Sequence, residues 1–402
     1  MLPFRRIAPL LALAVAVIAA GAPSASAQTT RSGFSVYQIP NLTGGEQGVA
    51  TFGAEGEQRL AVPAADDLWV VGGLYHGKRS PGQWPGDSHF MTPLIDHFDG
   101  HRWTLKQVST PIGTTTFQMR GVSASSPSNV WVDGDGVARG KHFSYLTRFD
   151  GHSWHRLPLP GGTYSLLSLA AYGPKDVWVA TSCRTTSENM YHWNGTSWRM
   201  SFGSDGCGGQ YVYVINALFA AAPDTAWQFG AFLGSNFPTD APENACYGLS
   251  CASVPTMTGS QIFGATGNGS DMWIVGYAKP DENPWLTDGF AAHYANGAWT
   301  NESPPIAYQN GRKLFSAAML PNGDLWAVGT RAEYLTWFMR RAPDGTWSGE
   351  GSINFDSYGV RESAQLAQVV HVPGTASEMF AAGYRWSGLS QGRSGGFLLH
   401  HP

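Results

Sequence analysis

The chain has 402 residues, only 13% of them charged, and a formal net charge of −4. This mild acidic balance, with no basic block, argues against nucleic acid and anionic membranes as partners. Fifty glycines and sixteen tryptophans favour short strands and tight turns over helices.

The first residues read as a secretory signal. Arg5 and Arg6 make a positive start, Leu10 to Ala20 an apolar core, and Ala25-Ser26-Ala27 a small-residue cleavage site. Residues 1–27 are expected to be removed, leaving 28–402 as a single exported domain. The apolar run is too short to stay as a membrane span, and no second run of such length follows. The next segment, Phe34 to Pro40, reads as a strand.

From residue 67 onward one short phrase returns: an acidic or small polar residue, a spacer, then an aromatic opening an apolar pair. The copies are Asp67-Leu68-Trp69, Asn129-Val130-Trp131, Asp176-Val177-Trp178, Asp224-Thr225-Ala226-Trp227, Asp271-Met272-Trp273, Asp324-Leu325-Trp326 and Glu378-Met379-Phe380. Successive aromatics stand roughly 46 to 62 residues apart, close to the length of one four-stranded propeller blade. The second copy shows the unit: Arg120 to Ser125, Val130 to Val132 and Tyr145 to Phe149 as strands, then Asp150-Gly151 as a hairpin turn. Trp154 opens the fourth strand. The same hairpin returns at Asp99-Gly100, Asn194-Gly195, Asn296-Gly297 and Asp344-Gly345, each followed by a tryptophan. Packing between neighbouring blades is the expected role of both aromatic sets.

The fourth repeat lacks this hairpin tryptophan and holds Cys246 and Cys251 there instead. With Cys183 and Cys207 these make four cysteines in a chain expected to be exported, so two disulfides are expected. Three connectivities are possible; the local one, Cys183–Cys207 with Cys246–Cys251, is preferred. The seventh repeat stops after its third strand, Gly396 to His400, and Phe34 to Pro40 matches the missing fourth. The expectation is an all-β fold: a seven-bladed β-propeller closed by the N-terminal strand, which completes the last blade.

These phrases resemble those of secreted bacterial β-propellers with "DxW-apolar-G … HWDGxxW" repeats, loose relatives of kelch and Asp-box propellers. The resemblance covers nearly all of residues 28–402 and implies a fold, not an activity. Asp99-Gly100 and Asp150-Gly151 lack the Asp-box spacing, and the sialidase Phe/Tyr-Arg-Ile-Pro motif is missing, so a sialidase is not supported.

In such a ring, the loops between strands two and three and between blades share one face, and here they are the long ones. Function concentrates on such loops. Candidate ligand contacts are Arg79, Trp84 and His89 in the first repeat, with Arg120, His142 and Tyr145 in the second. Trp285 in the fifth, Lys313, Arg331 and Trp337 in the sixth, and Arg385 and Trp386 in the seventh complete the set. Aromatic rings stack on sugar faces, and guanidinium forks grip carboxylates and sulfates. Asp133 stands where the other repeats have apolar residues, which marks either a buried polar network with Arg120 or Arg148 or a catalytic carboxyl. No metal spacing, phosphate loop or nucleophile elbow is present, and no cofactor is expected.

The leading expectation is a secreted, monomeric propeller that binds an extracellular carbohydrate or similar polar polymer through its loop-rich face. A second is a polysaccharide lyase there, with His142 or Tyr145 transferring protons. A third is a cell-surface platform for protein partners.

Overall fold

The computed structural model describes residues 33–37, 49–51, 58–75, 91–161, 163–182, 188–202, 211–234, 244–247, 250–254, 261–278, 287–305, 311–331, 335–351, 353, 363–386 and 395–402. The expected signal segment, Cys183, Cys207, Arg79, Trp84, His89 and Trp285 lie outside them. Among the described residues every regular element is a strand, and no helix is long and apolar enough to cross a membrane.

The second repeat shows the blade. Thr114–Ser126, Asn129–Ala138, Lys141–Phe149 and Trp154–Arg156 form an antiparallel meander from the axis outward. The expectation of seven such blades is corrected by the strand pairing. Six sheets are four-stranded blades, and the one at the start of the repeats is not. That sheet has five strands, because Val49–Thr51 and Leu60–Ala64 both pair with the same edge of Asp67–Tyr75. Elsewhere one long inner strand covers this edge. The sequence between the two halves contains Gly53 and Gly56, residues that weaken a strand interior. The sheets are numbered 1 to 7 below, by repeat.

In sheet 7, Ser35–Tyr37 pairs antiparallel with Gly395–His401, Ser35 opposite His400 and Tyr37 opposite Leu398. Phe34, beside this strand, is fully buried. Its ring stacks on Phe338 of sheet 6 at 4.8 Å and meets Trp326 edge-on at 5.7 Å. The N-terminal strand thus ties the last sheet to its neighbour by ring packing as well as by backbone pairing.

The core lies between sheets. Trp69, Val71 and Ile95 of sheet 1 pack on Phe117, Met119, Val132 and Tyr145 of sheet 2. Trp273, Val275 and Ala291 of sheet 5 pack on Leu314, Ala327 and Trp337 of sheet 6. The inner strands are stitched by side chains. Ser123 Oγ accepts from Ala171 N at 2.9 Å, Ser316 Oγ from Val369 N at 3.2 Å, and the Gln368 amide both accepts from and donates to Leu60. These bonds satisfy backbone groups at the axis that no strand ladder reaches.

All six blades bulge at one place in the inner strand. The register slips between Met119 and Gly121, Leu166 and Ser168, Ile215 and Ala217, Ile262 and Gly264, Leu314 and Ser316, and Leu366 and Gln368. The extra residue has no cross-strand partner, which bends the strand. Around the axis these strands enclose a channel of about 400 Å³, lined mainly by Ala, Val and Phe side chains.

In sheet 4 the hairpin Asn244–Tyr247 with Ser250–Ser253 places Cys246 directly opposite Cys251 in register. Opposed strand positions have Cα separations of about 4.5–5.5 Å, within the range that a disulfide bridges.

Candidate functional site

The two faces of the ring differ in chemistry. The short turns at the base repeat one clamp. In the first three phrases the leading polar residue accepts from its own tryptophan: Trp69 Nε1 donates to Asp67, Trp131 Nε1 to Asn129 at 3.0 Å and Trp178 Nε1 to Asp176 Oδ1 at 2.9 Å. The acidic residue also grips a residue of strand three: His97 on Asp67 at 3.2 Å, His192 on Asp176 at 2.9 Å, His293 on Asp271 at 2.8 Å, Arg340 on Asp324 at 2.9 Å and His400 on Glu378 at 2.8 Å. The imidazoles stack on the aromatic, 3.9 Å from Trp69, 4.1 Å from Trp178 and 4.2 Å from Trp273. These histidines are structural.

Two groupings at the base look like sites and are not. Ser153, His155 and Asp150 have the composition of a hydrolase triad, but Ser153 Oγ and Asp150 Oδ2 both contact Nε2 of His155, so no relay across the ring is possible. Asp176, His192 and Asp224 bring three ligand-type atoms within 4.8 Å. Two of these groups are already spent: Asp176 holds His192 through Oδ1 and accepts from Asp224 N through Oδ2 at 2.7 Å.

On the loop-rich face, sheet 2 gathers the second-repeat candidates into a polar network. Arg120 is the extra residue of its bulge, and its guanidinium pairs with Asp135. His142 contacts the other oxygen of Asp135 at 3.2 Å and stacks on Tyr164 of sheet 3 at 4.6 Å. Tyr145 is three residues from His142 and so faces the other side of the strand. It is only 2% exposed and packs on Phe117, and burial pushes its phenol pKa up. His142 and Tyr145, the alternatives of the lyase expectation, thus lie on opposite sides of the strand.

Asp133 is 4% exposed, and its carboxylate stands over Gly121. A Cβ at residue 121 would come within 2.2 Å of Asp133 Oδ1, so glycine makes room for the carboxylate. Of the two arginines weighed as its partners, Arg120 pairs with Asp135 and Arg148 lies over the Trp131 ring at 5.9 Å.

Sheets 5 and 6 enclose a second feature of this face. A cavity of about 230 Å³ opens between them, lined by Asp288, Gly289, Pro304, Pro305, Arg312, Arg331, Trp337, Met339 and Gly349. Asp288 begins strand Asp288–Ala295, Arg331 ends Leu325–Arg331, and Trp337 lies near the start of Leu335–Arg341. Arg312 precedes Lys313–Met319, and its N–H donates to Thr287 O at 3.0 Å, bridging the sheets. Its guanidinium lies over the Trp337 ring at 5.4 Å.

Asp288 is 6% exposed, and its Oδ1 has no hydrogen-bond partner. Burial raises its carboxyl above the usual carboxylate range, and the nearby Arg312 charge works in the opposite direction. Trp337 is 5% exposed, with its edge against the backbone of Gly289. It occupies the strand-three position held by Leu94, Tyr145, Phe290 and Phe397 in other sheets, three residues before the clamp residue. Trp337 is thus a core side chain whose edge lines the cavity. Lys313 lies over Tyr277 at 4.9 Å near the same join. Arg385 and Trp386 end strand Met379–Trp386, opposite Ala364 and Ser363.

Asp288 was not among the sequence candidates. Its counterparts five residues before the clamp are Thr92, Phe143, Leu335 and Gly395. A lone carboxylate at that position is the same kind of signal that singled out Asp133.

No protein-family model matches the sequence, and neither does any curated protein. Solved structures do resemble the fold. YCF48 from Cyanidioschyzon merolae is 13% identical with a TM-score of 0.50, covering 88% of this chain and 98% of its own. A prolyl endopeptidase structure also reaches 0.50 at 8% identity, covering 88% of this chain and 50% of its own. The BP39L lectin from Burkholderia pseudomallei is 12% identical with a TM-score of 0.47, covering 85% and 100%. The first two likenesses show the β-propeller fold alone.

Proposed function

We propose that this chain is an exported propeller that binds a carbohydrate or similar polar polymer through its loop-rich face, with one sugar unit in the cavity between sheets 5 and 6. The observation that carries this reading is Asp288: a buried carboxylate with a partnerless oxygen, lining a cavity that also presents guanidinium and an aromatic edge. A sugar hydroxyl both donates and accepts, so it can bridge Asp288 and Arg312, while its C–H groups lie on Trp337, Pro304 and Pro305. At about 230 Å³ the cavity is smaller than the roughly 300–1,000 Å³ of pockets for drug-sized ligands, which suits one ring of a longer polymer. Binding is favoured over hydrolysis because glycosidases typically pair two carboxylates, and Asp288 is the only carboxylate among the described lining residues.

A glycan array probed with the chain, followed by calorimetry on the hits, tests this. Wild type is expected to bind a saccharide, and Asp288→Ala to lose at least about tenfold in affinity, the loss of one charge-assisted hydrogen bond. Undiminished binding by the variant, or no saccharide bound by wild type, contradicts the reading.

A further inference from the structure

We infer that the cavity between sheets 5 and 6 selects an uncharged sugar unit that donates a hydroxyl to Asp288 Oδ1, a deepening that rests on the saccharide reading above. The unmet capacity of Asp288 is that of an acceptor. Asp288 Oδ1 is buried without a partner, and an ionised carboxylate only accepts. A buried acceptor left unmade is costly, so a ligand that donates removes a penalty already present in the empty protein.

An anionic sugar does not fit this demand. Its carboxylate or sulfate would bring acceptors to an acceptor and a second negative charge beside Asp288. Arg312 and Arg331 both line the cavity and would attract an anion, but an anionic group offers Asp288 Oδ1 no donor. A cationic amino sugar fits no better, because the guanidinium that attracts Asp288 repels an ammonium group. A hydroxyl satisfies both neighbours without adding charge. The lining of Pro304, Pro305, Trp337 and Met339 then covers the apolar face of the ring.

The test is calorimetry on the full chain with three probes matched in ring stereochemistry: the methyl glycoside of a neutral hexose, the corresponding hexuronate and the corresponding 2-amino sugar. The hexose series is the one that leads on the array. The neutral glycoside is expected to bind wild type at least about tenfold more tightly than either charged probe. Asp288→Asn, nearly the same shape, should weaken the neutral glycoside by about tenfold and narrow its margin over the hexuronate. Tighter binding of the hexuronate or the amino sugar by wild type overturns the inference while leaving saccharide binding intact. So does an Asp288→Asn variant with a wild-type melting temperature and unchanged selectivity. If that variant fails to fold, the wild-type order of the three probes decides the matter alone. If wild type binds no saccharide in any form, both readings fall.

Discussion

At the scale of single residues, position within a strand decides what a side chain can do. Trp337 reads in the sequence as a loop aromatic free to stack on a ligand. In the structure it is buried between sheets 5 and 6 among Trp273, Val275 and Leu314. Trp337→Ala is therefore expected to lower stability by about 3–5 kcal/mol, the usual cost of emptying a large aromatic site, measured by urea unfolding. Wild-type stability in that variant would mean the ring is exposed and ligand-facing. Tyr145 was misread for the same reason, since both stand at one core position of strand three. Asp133 was legible because a carboxylate stands out at an apolar position. Its fit over Gly121 was not, because it depends on the bulge that sets Gly121 opposite Asp133. Asp288 went unseen because its meaning needs Arg312, which the sheet-to-sheet join brings near.

At the scale of elements, the hairpins were the most legible feature, because their chemistry is local. Asp99 Oδ1 accepts from the N–H groups of His101 and Arg102, Asp150 Oδ1 from His152 and Ser153, and Asp344 Oδ1 from Thr346. Asn194 makes the same bonds to Thr196 and Ser197 without a charge. Backbone donation is the main cause that holds the carboxyls of Asp99, Asp150 and Asp344 below their usual range. A carboxyl depressed on folding contributes stability above its unfolded pKa of about 4 and loses it as pH falls through the folded value. Replacing all three by Asn should lower the melting temperature near neutrality and make it fall less steeply with acid below about pH 4. Parallel melting curves against pH for wild type and variant would contradict this. The inner strands were less legible. Nothing local in Val49–Thr51 or Leu60–Ala64 shows that both pair with Asp67–Tyr75, since that pairing is set across the sheet.

At the scale of the molecule, the ring divides its labour. The base spends its Asp, His and Arg side chains on repeated clamps against tryptophan, and the axis is closed by small residues and side-chain stitches. The closure of sheet 7 by Ser35–Tyr37 was readable because a missing strand at one end matched a spare one at the other. The number of regular blades was not, because seven phrases mark seven sheets without saying how each inner edge is built. The opposite face retains unspent chemistry, and it is concentrated at Asp288 between sheets 5 and 6. The most direct measurement is a crystal structure of the chain with its best array saccharide bound. The account predicts one sugar ring between Asp288, Arg312 and the edge of Trp337, with a hydroxyl within about 3 Å of Asp288 Oδ1. A sugar held instead at the base, along the channel, or on the Arg120–Asp135–His142 network with the cavity left empty would contradict it.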